Sequence, residues 1–386
     1  MRSEFLIFGS PKIEEDEINE VVDSLRKCWL GTGPKVAQFE NQFKEYVGAK
    51  HAVAVHSCTA ALHLSMIASD IGPGDEVITT PMTFAATANS IIHTGGIPVF
   101  IDVNRDTMTI DVKQIEEKIT TRTKAIIPVH FAGRACQMDE IIALANKYKL
   151  KIINDAAHAI ETDYHGKKVS NYGNLTTYSF YSTKNLATGE GGMVTTDDGE
   201  LAEKIKIYGL HGMTKDAWKR FSDTGYKHYE IIYPGFKYNM MDMQAALGIH
   251  QLEKIERYSI CRKEIWDRYN EAFAELPLFL PAAVEPNTRH AFHLYTILLD
   301  LSKVKITRDE FMNLLHRENI GTGVHYTALH LHPYYKERFG YKKGDFPNTE
   351  FIGERTVSLP ISAKLTDQDV EDVIGAVKNI LHNNKK

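Results

Sequence analysis

From residue 52 onward, short apolar runs alternate with longer stretches whose apolar positions recur at helical spacing. "AVAVH" (52–56), "EVITT" (76–80), "IPVFIDV" (97–103), "KAIIPVH" (124–130) and "LKIINDAA" (150–157) read as strands. Between them "TAALHLSMIAS" (59–69), "FAATANSIIHT" (84–94), "DVKQIEEKIT" (111–120) and "MDEIIALANKYK" (138–149) read as helices. Strands this short and apolar need cover on both faces, which predicts a mostly parallel sheet with helices on each side. In such sheets ligands sit beyond the carboxyl ends of the strands. Upstream, residues 12–27 read as an amphipathic helix, and a Gly-Thr-Gly-Pro loop leads into a second one. A strand over residues 178–182 precedes Lys184, and a Gly189–Glu190–Gly191–Gly192 turn follows it.

Beyond Val194 the pattern changes. Residues 199–208 read as a helix, 212–234 as polar, aromatic and irregular, and 241–276 as a long helical run. "AFHLYTILLDL" (291–301) and "RDEFMNLLHREN" (308–319) suggest strands and helices of a smaller domain. The division expected is a large domain over residues 1–245 and a small α/β domain over 246–386.

Composition narrows the function classes. The chain has 386 residues, 43% hydrophobic and 25% charged, which is ordinary globular usage with room for two domains. A net charge of −5 gives no basic footprint for nucleic acid. Cys28, Cys58, Cys136 and Cys261 are far apart and without CxxC pairing, which argues against a structural zinc site or a disulfide framework. No apolar stretch has the length of a signal peptide or a membrane span. A cytoplasmic protein is expected.

Four pieces at successive strand ends carry candidate chemistry. "HSCTAALHL" (56–64) ends a strand, passes hydroxyl residues and opens a helix, whose free N–H groups make an anion site at Thr59 and Ala60. Taken alone it reads as a helix cap made by Ser57 or Thr59. Phe84 opens the next helix and could stack on a planar ligand; taken alone it reads as a core residue. Asp155 ends an apolar strand, where a buried carboxylate needs a partner such as a pyridinium N–H, or else caps a helix. His158 could reach the same ligand or be satisfied in the core. Lys184 could form an imine with an aldehyde, given a lowered pKa, and Ser179 could add a phosphate hydrogen bond. Together these supply a phosphate cradle, a stacking ring, a carboxylate and a lysine, the set that pyridoxal 5′-phosphate requires. His325, His330 and His332 lack metal-ligand spacing and an accompanying carboxylate cluster, so no metal is expected. The lack of GxGxxG after the first strand speaks against a dinucleotide enzyme.

The ordered blocks "GTGPKVAQFE" (31–40), "TAALHL" (59–64), "DEVITTPMTFAATAN" (75–89), "DAAHA" (155–159), "SFYSTKN" (179–185), "GEGGMV" (189–194), "GFKYNMMDMQAALG" (235–248), "GTGVHYTALHLHPYY" (321–335) and "SLPIS" (358–362) extend over nearly the whole chain. In them the sequence resembles the DegT/StrS family of pyridoxal-phosphate-dependent nucleotide-sugar aminotransferases, and most of all the branch containing UDP-4-amino-4-deoxy-L-arabinose aminotransferase. The resemblance implies fold type I, the aspartate aminotransferase-like architecture. It implies a glutamate donor, released as 2-oxoglutarate, and a nucleotide-linked keto sugar as acceptor. The product would be an amino sugar for surface glycan or lipid, such as lipopolysaccharide. A homodimer with shared sites is implied as well.

Residue by residue, the resemblance gives Lys184 the imine and the proton shuttle, and gives Asp155 the pyridine nitrogen. His158 falls near the phenolic oxygen and Phe84 over the ring face. Thr59, Ala60 and Ser179 fall on the phosphate. Asn239, or Lys237 at the family's usual Asn position, would reach the partner's phosphate. Gly31, Thr32, Gly33, His325 and His330 fall near the sugar nucleotide. Asn154 stands where the family has Glu, and Glu161–Thr162 where it prefers a small pair. Glu161 is expected to add negative charge near the site. Sugar dehydratases of the family carry His in place of Lys184, and a silent sugar-nucleotide-binding protein on the same scaffold is the remaining alternative.

Overall fold

A computed structural model describes residues 2–214 and 229–386. At its centre is a seven-stranded sheet of β1 (His51–Val55), β2 (Glu76–Thr79), β3 (Ile97–Phe100), β4 (Thr123–Ile126), β5 (Lys151–Asp155), β8 (Leu175–Ser179) and β9 (Gly192–Thr196). The order is β1-β9-β8-β5-β4-β2-β3. Six strands run the same way, and β9 alone is antiparallel to its neighbours β1 and β8. In a small separate sheet β6 (Asp163–Tyr164) pairs on one side with its hairpin partner β7 (Lys167–Lys168) and on the other with β11 (Thr288–Arg289). A third sheet, antiparallel, joins β10 (Leu278–Phe279), β12 (Tyr295–Leu299) and β13 (Thr356–Leu359).

The sheet carries helices as the alternation predicts. They are α1 (Glu15–Arg26), α2 (Pro34–Val47), α3 (Cys58–Ala68), α4 (Ala85–His93), α5 (Met138–Tyr148), α6 (Gly199–Gly209) and the long α7 (Asp242–Phe273). Further along come α8 (Arg308–Arg317), α9 (Pro333–Phe339), α10 (Pro347–Gly353) and α11 (Asp367–Asn383); α8 and α11 pack on the C-terminal sheet, and α9 packs through Tyr335 against Phe100 of β3 and Ala88 of α4. The N-terminal part of α7 gives Ala245, Ile249, Leu252 and Ile255 to a core shared with Val36, Phe39 and Phe43 of α2. Its C-terminal part gives Ile265, Trp266, Tyr269 and Phe273 to a second core, shared with β12, α8 and α11. Phe39 packs so closely on Gly248 that a Cβ there would lie 2.7 Å from the ring.

Two expected elements differ. Residues 111–120 form two 3₁₀ turns, Val112–Gln114 and Glu116–Lys118, rather than an α-helix. Asp111 caps the first through its carboxylate, and buried Val112 and Ile115 stand three apart, the period of a 3₁₀ turn. The strand before the lysine ends at Ser179, not at residue 182. Phe180 N–H donates to Gly191 C=O (2.9 Å) and Thr188 N–H to Phe180 C=O (2.8 Å), closing the chain into a loop. Lys184 therefore sits in a turn, its N–H donating to Tyr181 C=O at 2.8 Å.

Candidate active site

The carboxyl ends of β1, β5 and β8 converge at the site. Ser57 caps α3 by accepting from Ala60 N–H at 3.1 Å, leaving the first N–H groups of the helix without intrahelical acceptors. Thr59 is exposed beside them and Ala60 is buried. Strand β9 passes so near that a Cβ on Gly192 would lie 2.5 Å from Ser57 carbonyl carbon and 2.6 Å from Cys58 N. The helix start is thus a cradle walled by bare backbone. Ser179, at the end of β8, is buried, with its Oγ 3.4 Å from Tyr181 N.

Asp155 ends β5 and is buried. Its Oδ2 accepts from Thr87 Oγ1 at 2.7 Å, and Thr87 Oγ1 lies 2.7 Å from Thr83 Oγ1. Its Oδ1 accepts from Ala157 N–H at 3.2 Å. Burial pushes the carboxyl above its ordinary value, opposed by Thr87, Ala157 N–H and the positive charge of Lys184. Lys184 is the reverse case. Part of its stem is accessible, but its amine is enclosed, and burial brings it down to about 8 against the pull of Cys58 and Asp155. Phe84 is the N-cap residue of α4 and 63% exposed, so it is not the core residue that it resembles in isolation. Its ring lies 6.2 Å from Tyr326.

His158 is buried and fully engaged. Nδ1 accepts from Ala132 N–H at 3.2 Å and Nε2 lies 3.2 Å from Tyr326 Oη. Burial drives it well below its ordinary pKa, helped by Lys184, His293 and His325. His293, 4.5 Å from His158 ring to ring, is also buried and held well below its ordinary value by burial and Lys184. His325 lies 6.5 Å from His158, with Nδ1 2.8 Å from Ser358 Oγ; burial and Lys184 lower it to about 3. Three neutral imidazoles and Tyr326 thus line one side. Among the described residues no group of His, Cys, Asp and Glu is arranged to hold a metal.

Other predicted positions lie differently. Gly31, Thr32 and Gly33 are locked to the segment before α7. Asn239 Nδ2 donates to Thr32 Oγ1 (2.6 Å), Thr32 Oγ1 to Met240 C=O (2.5 Å), and Gly33 N–H to Asp242 Oδ1 (2.8 Å). Lys237 Nζ donates to Asn239 Oδ1 at 2.6 Å, and Asn239 bridges to Val55 at the end of β1 in its own chain. His330 is not brought to the cluster. It is fully buried with Nε2 3.0 Å from Glu350 Oε1, its ring 4.7 Å from Phe346. Trp218, with the rest of 215–228 in the aromatic loop, lies outside the described residues. On its flanks Tyr208 stacks on Tyr233 and Phe236 on Tyr238, which is packing.

Both family departures have structural partners. Asn154 is buried, accepts from His130 Nε2 (3.2 Å) and donates to Tyr172 C=O (3.2 Å) and Thr176 Oγ1 (3.1 Å). Burial lowers His130 to about 4, so a neutral amide suits it. Glu161 is no free negative charge. It is fully buried, pairs with Arg262 of α7, and accepts from Asn185 Nδ2 at 3.0 and 2.9 Å. Thr162 Oγ1 donates to Gly133 C=O at 2.7 Å.

Relatives match the sequence and the fold. Residues 11–378 fit the model of the DegT/DnrJ/EryC1/StrS aminotransferase family. The chain belongs to that family. The spore coat polysaccharide biosynthesis protein SpsC of Bacillus subtilis is 51% identical over 381 residues, 98% of each chain. The Spr1654 protein of Streptococcus pneumoniae, solved in PMP and PLP forms, superposes in its PMP form with a TM-score of 0.92 at 33% identity, over 98% of this chain and 99% of that one. Helicobacter pylori PseC, an aminotransferase in pseudoaminic acid biosynthesis, gives 0.90 at 29%, over 99% and 100%. As a family member the chain is a pyridoxal-phosphate-dependent sugar aminotransferase of fold type I, and the catalytically silent alternative falls away. No helix among the described residues is long and apolar enough to cross a membrane.

Proposed function

We propose that the chain moves an amino group from L-glutamate to the keto carbon of a nucleotide-linked sugar, a UDP-linked 4-keto sugar before others. The observation that carries this reading is an enclosed Lys184 amine lowered to about 8, near a buried Asp155 carboxylate and a walled helix start. These residues fit pyridoxal phosphate: a neutral amine for its aldehyde, a carboxylate for its ring nitrogen, and a cradle at Thr59, Ala60 and Ser179 for its phosphate. When bound, the cofactor supplies an electron sink for the pair left by a departing carbon-bound proton.

The chain's own residues do the rest. Lys184, lowered to about 8 so that a fraction of it is neutral near the operating pH, takes up and returns that proton at its amine. Asp155 would keep the ring nitrogen protonated, its carboxylate aimed by the Thr83–Thr87 hydroxyl pair. Phe84 would cover one ring face, and His158 would hold Tyr326 in place. The Gly31–Thr32–Gly33 loop and His325 would border the sugar nucleotide. His330 has no part in this reading, because Glu350 holds it in the core.

We place the chain in a cytoplasmic homodimer, with Asn239 or Lys237 serving the partner's phosphate. Support comes from Trp29 (51% exposed), Leu30 and Met241, large apolar side chains left open on both sides of the loop lock. SpsC's name and PseC's role in pseudoaminic acid synthesis favour a product destined for a surface glycan.

The test is the visible absorbance of the cofactor-loaded protein. Adding L-glutamate should bleach the band, and the correct keto-sugar nucleotide should restore it. Lys184→Ala should lose turnover altogether. Bleaching by another amino acid but not by glutamate overturns the donor, and restoration by no 4-keto sugar nucleotide overturns the acceptor.

A further inference from the structure

The proposed mechanism leaves His293 and Asn185 without a task, although both lie against the Lys184 turn. Asn185 Nδ2 faces three acceptors: Glu161 Oε1 at 3.0 Å, Glu161 Oε2 at 2.9 Å and Ala291 C=O at 2.9 Å. Its amide therefore has one orientation, with NH2 toward Glu161 and Oδ1 toward His293 Nδ1 at 3.0 Å. An amide oxygen only accepts, so His293 carries its proton on Nδ1 and keeps a bare lone pair on Nε2. Nε2 has no hydrogen-bond partner among the described residues. His158, 4.5 Å away, is held in the opposite tautomer, because its Nδ1 accepts from Ala132 N–H and its proton lies on Nε2. Glu161 is itself fixed by Arg262, buried to 3% exposure on α7.

We propose that His293 is a working residue of this site, a fixed hydrogen-bond acceptor beside Lys184, and that Glu161 and Asn185 are its positioning residues. The inference rests on the aminotransferase reading, which supplies the two kinds of donor that Nε2 can meet: the amine of Lys184 and a hydroxyl of the sugar substrate. It also gives Glu161 a purpose: a small residue there could not orient the amide. A histidine held only for packing would tolerate either tautomer.

The experiment is nitrogen NMR of the holoenzyme labelled in histidine, at neutral pH, with the His293 signals assigned by their loss in His293→Gln. The native protein should show His293 protonated on Nδ1. Asn185→Ala should shift it to the Nε2-protonated form or a mixture, and Glu161→Gln, which removes one of the two carboxylate acceptors and leaves Ala291 C=O, should shift it less. A native Nε2–H tautomer, or a tautomer unchanged in Asn185→Ala, overturns the proposal even if Glu161→Gln fails to fold. This readout needs neither the donor nor the sugar, so it stands or falls apart from the substrate assignment. In kinetics, His293→Leu should lower kcat/KM about tenfold or more, the worth of one buried hydrogen bond, and His293→Gln should recover most of it. A rise in KM for the sugar alone identifies the hydroxyl as donor, and a fall in kcat of both half-reactions identifies Lys184. Equal activity of the Leu variant and the native enzyme overturns the assignment.

Discussion

Asp155 shows how much of this site is decided by one or two hydroxyls. A carboxylate pushed up by burial would be a poor partner for a positive nitrogen unless something steadied its charged form. Thr87 does so, and Thr83 steadies Thr87. Asp155→Asn keeps the shape and removes the charge. It should cost about 10- to 150-fold in kcat/KM, the worth of a charge-assisted hydrogen bond, as steady-state rates would show. Lys184 makes the matching pH prediction. Its amine is protonated below about 8 and neutral above, so the rate of cofactor uptake by the cofactor-free protein should climb with pH through that value and then level off. A profile flat across it would contradict the shift. At this scale the sequence brings forward Lys184, Asp155, His158 and Phe84 as candidates, because each stands at or shortly after the end of a strand or at the start of a helix. It does not show His293 or Tyr326, which reach Asn185 and His158 from more than 100 residues further along the chain. Nor does it show that Glu161 is neutralised, since its partner Arg262 is 101 positions distant.

Among the elements, β9 is the one that walls the candidate cradle at the start of α3. Alternation along the chain predicts most strands and helices of the large sheet in the right places, since burial on both faces leaves a plain apolar signature. It says nothing of strand order, and so hides that β9 threads antiparallel between β1 and β8. That insertion brings Gly192 against the Ser57–Cys58 backbone. Gly192→Ala should therefore displace the start of α3 and weaken cofactor binding, with the loss read by equilibrium titration of the visible band. Wild-type affinity in that variant would mean that the helix start is not the phosphate cradle. The one helix misread, residues 111–120, fails for a physical reason: Val112, Ile115 and Ile119 are β-branched and carry little helix preference.

For the molecule as a whole, the prediction concerns what a second copy supplies. If Asn239 or Lys237 serves the neighbouring cofactor, mixing Lys184→Ala subunits with subunits altered at both Asn239 and Lys237 should rebuild one working site per mixed dimer. Activity recovered on co-refolding the two inactive proteins is the expected result, and none would place each site within a single chain. Helix α7 bears on the question of movement. It is 32 residues without a break, about 48 Å of rod, and two of the three large cores draw on it. A shaft shared by two cores lets neither swing freely on the other. The doorway for successive reactants should thus be worked by the lighter pieces resting on the shaft, such as the Gly9–Lys12 strap that borders Lys184, while the frame that aims the lysine stays stiff through every exchange.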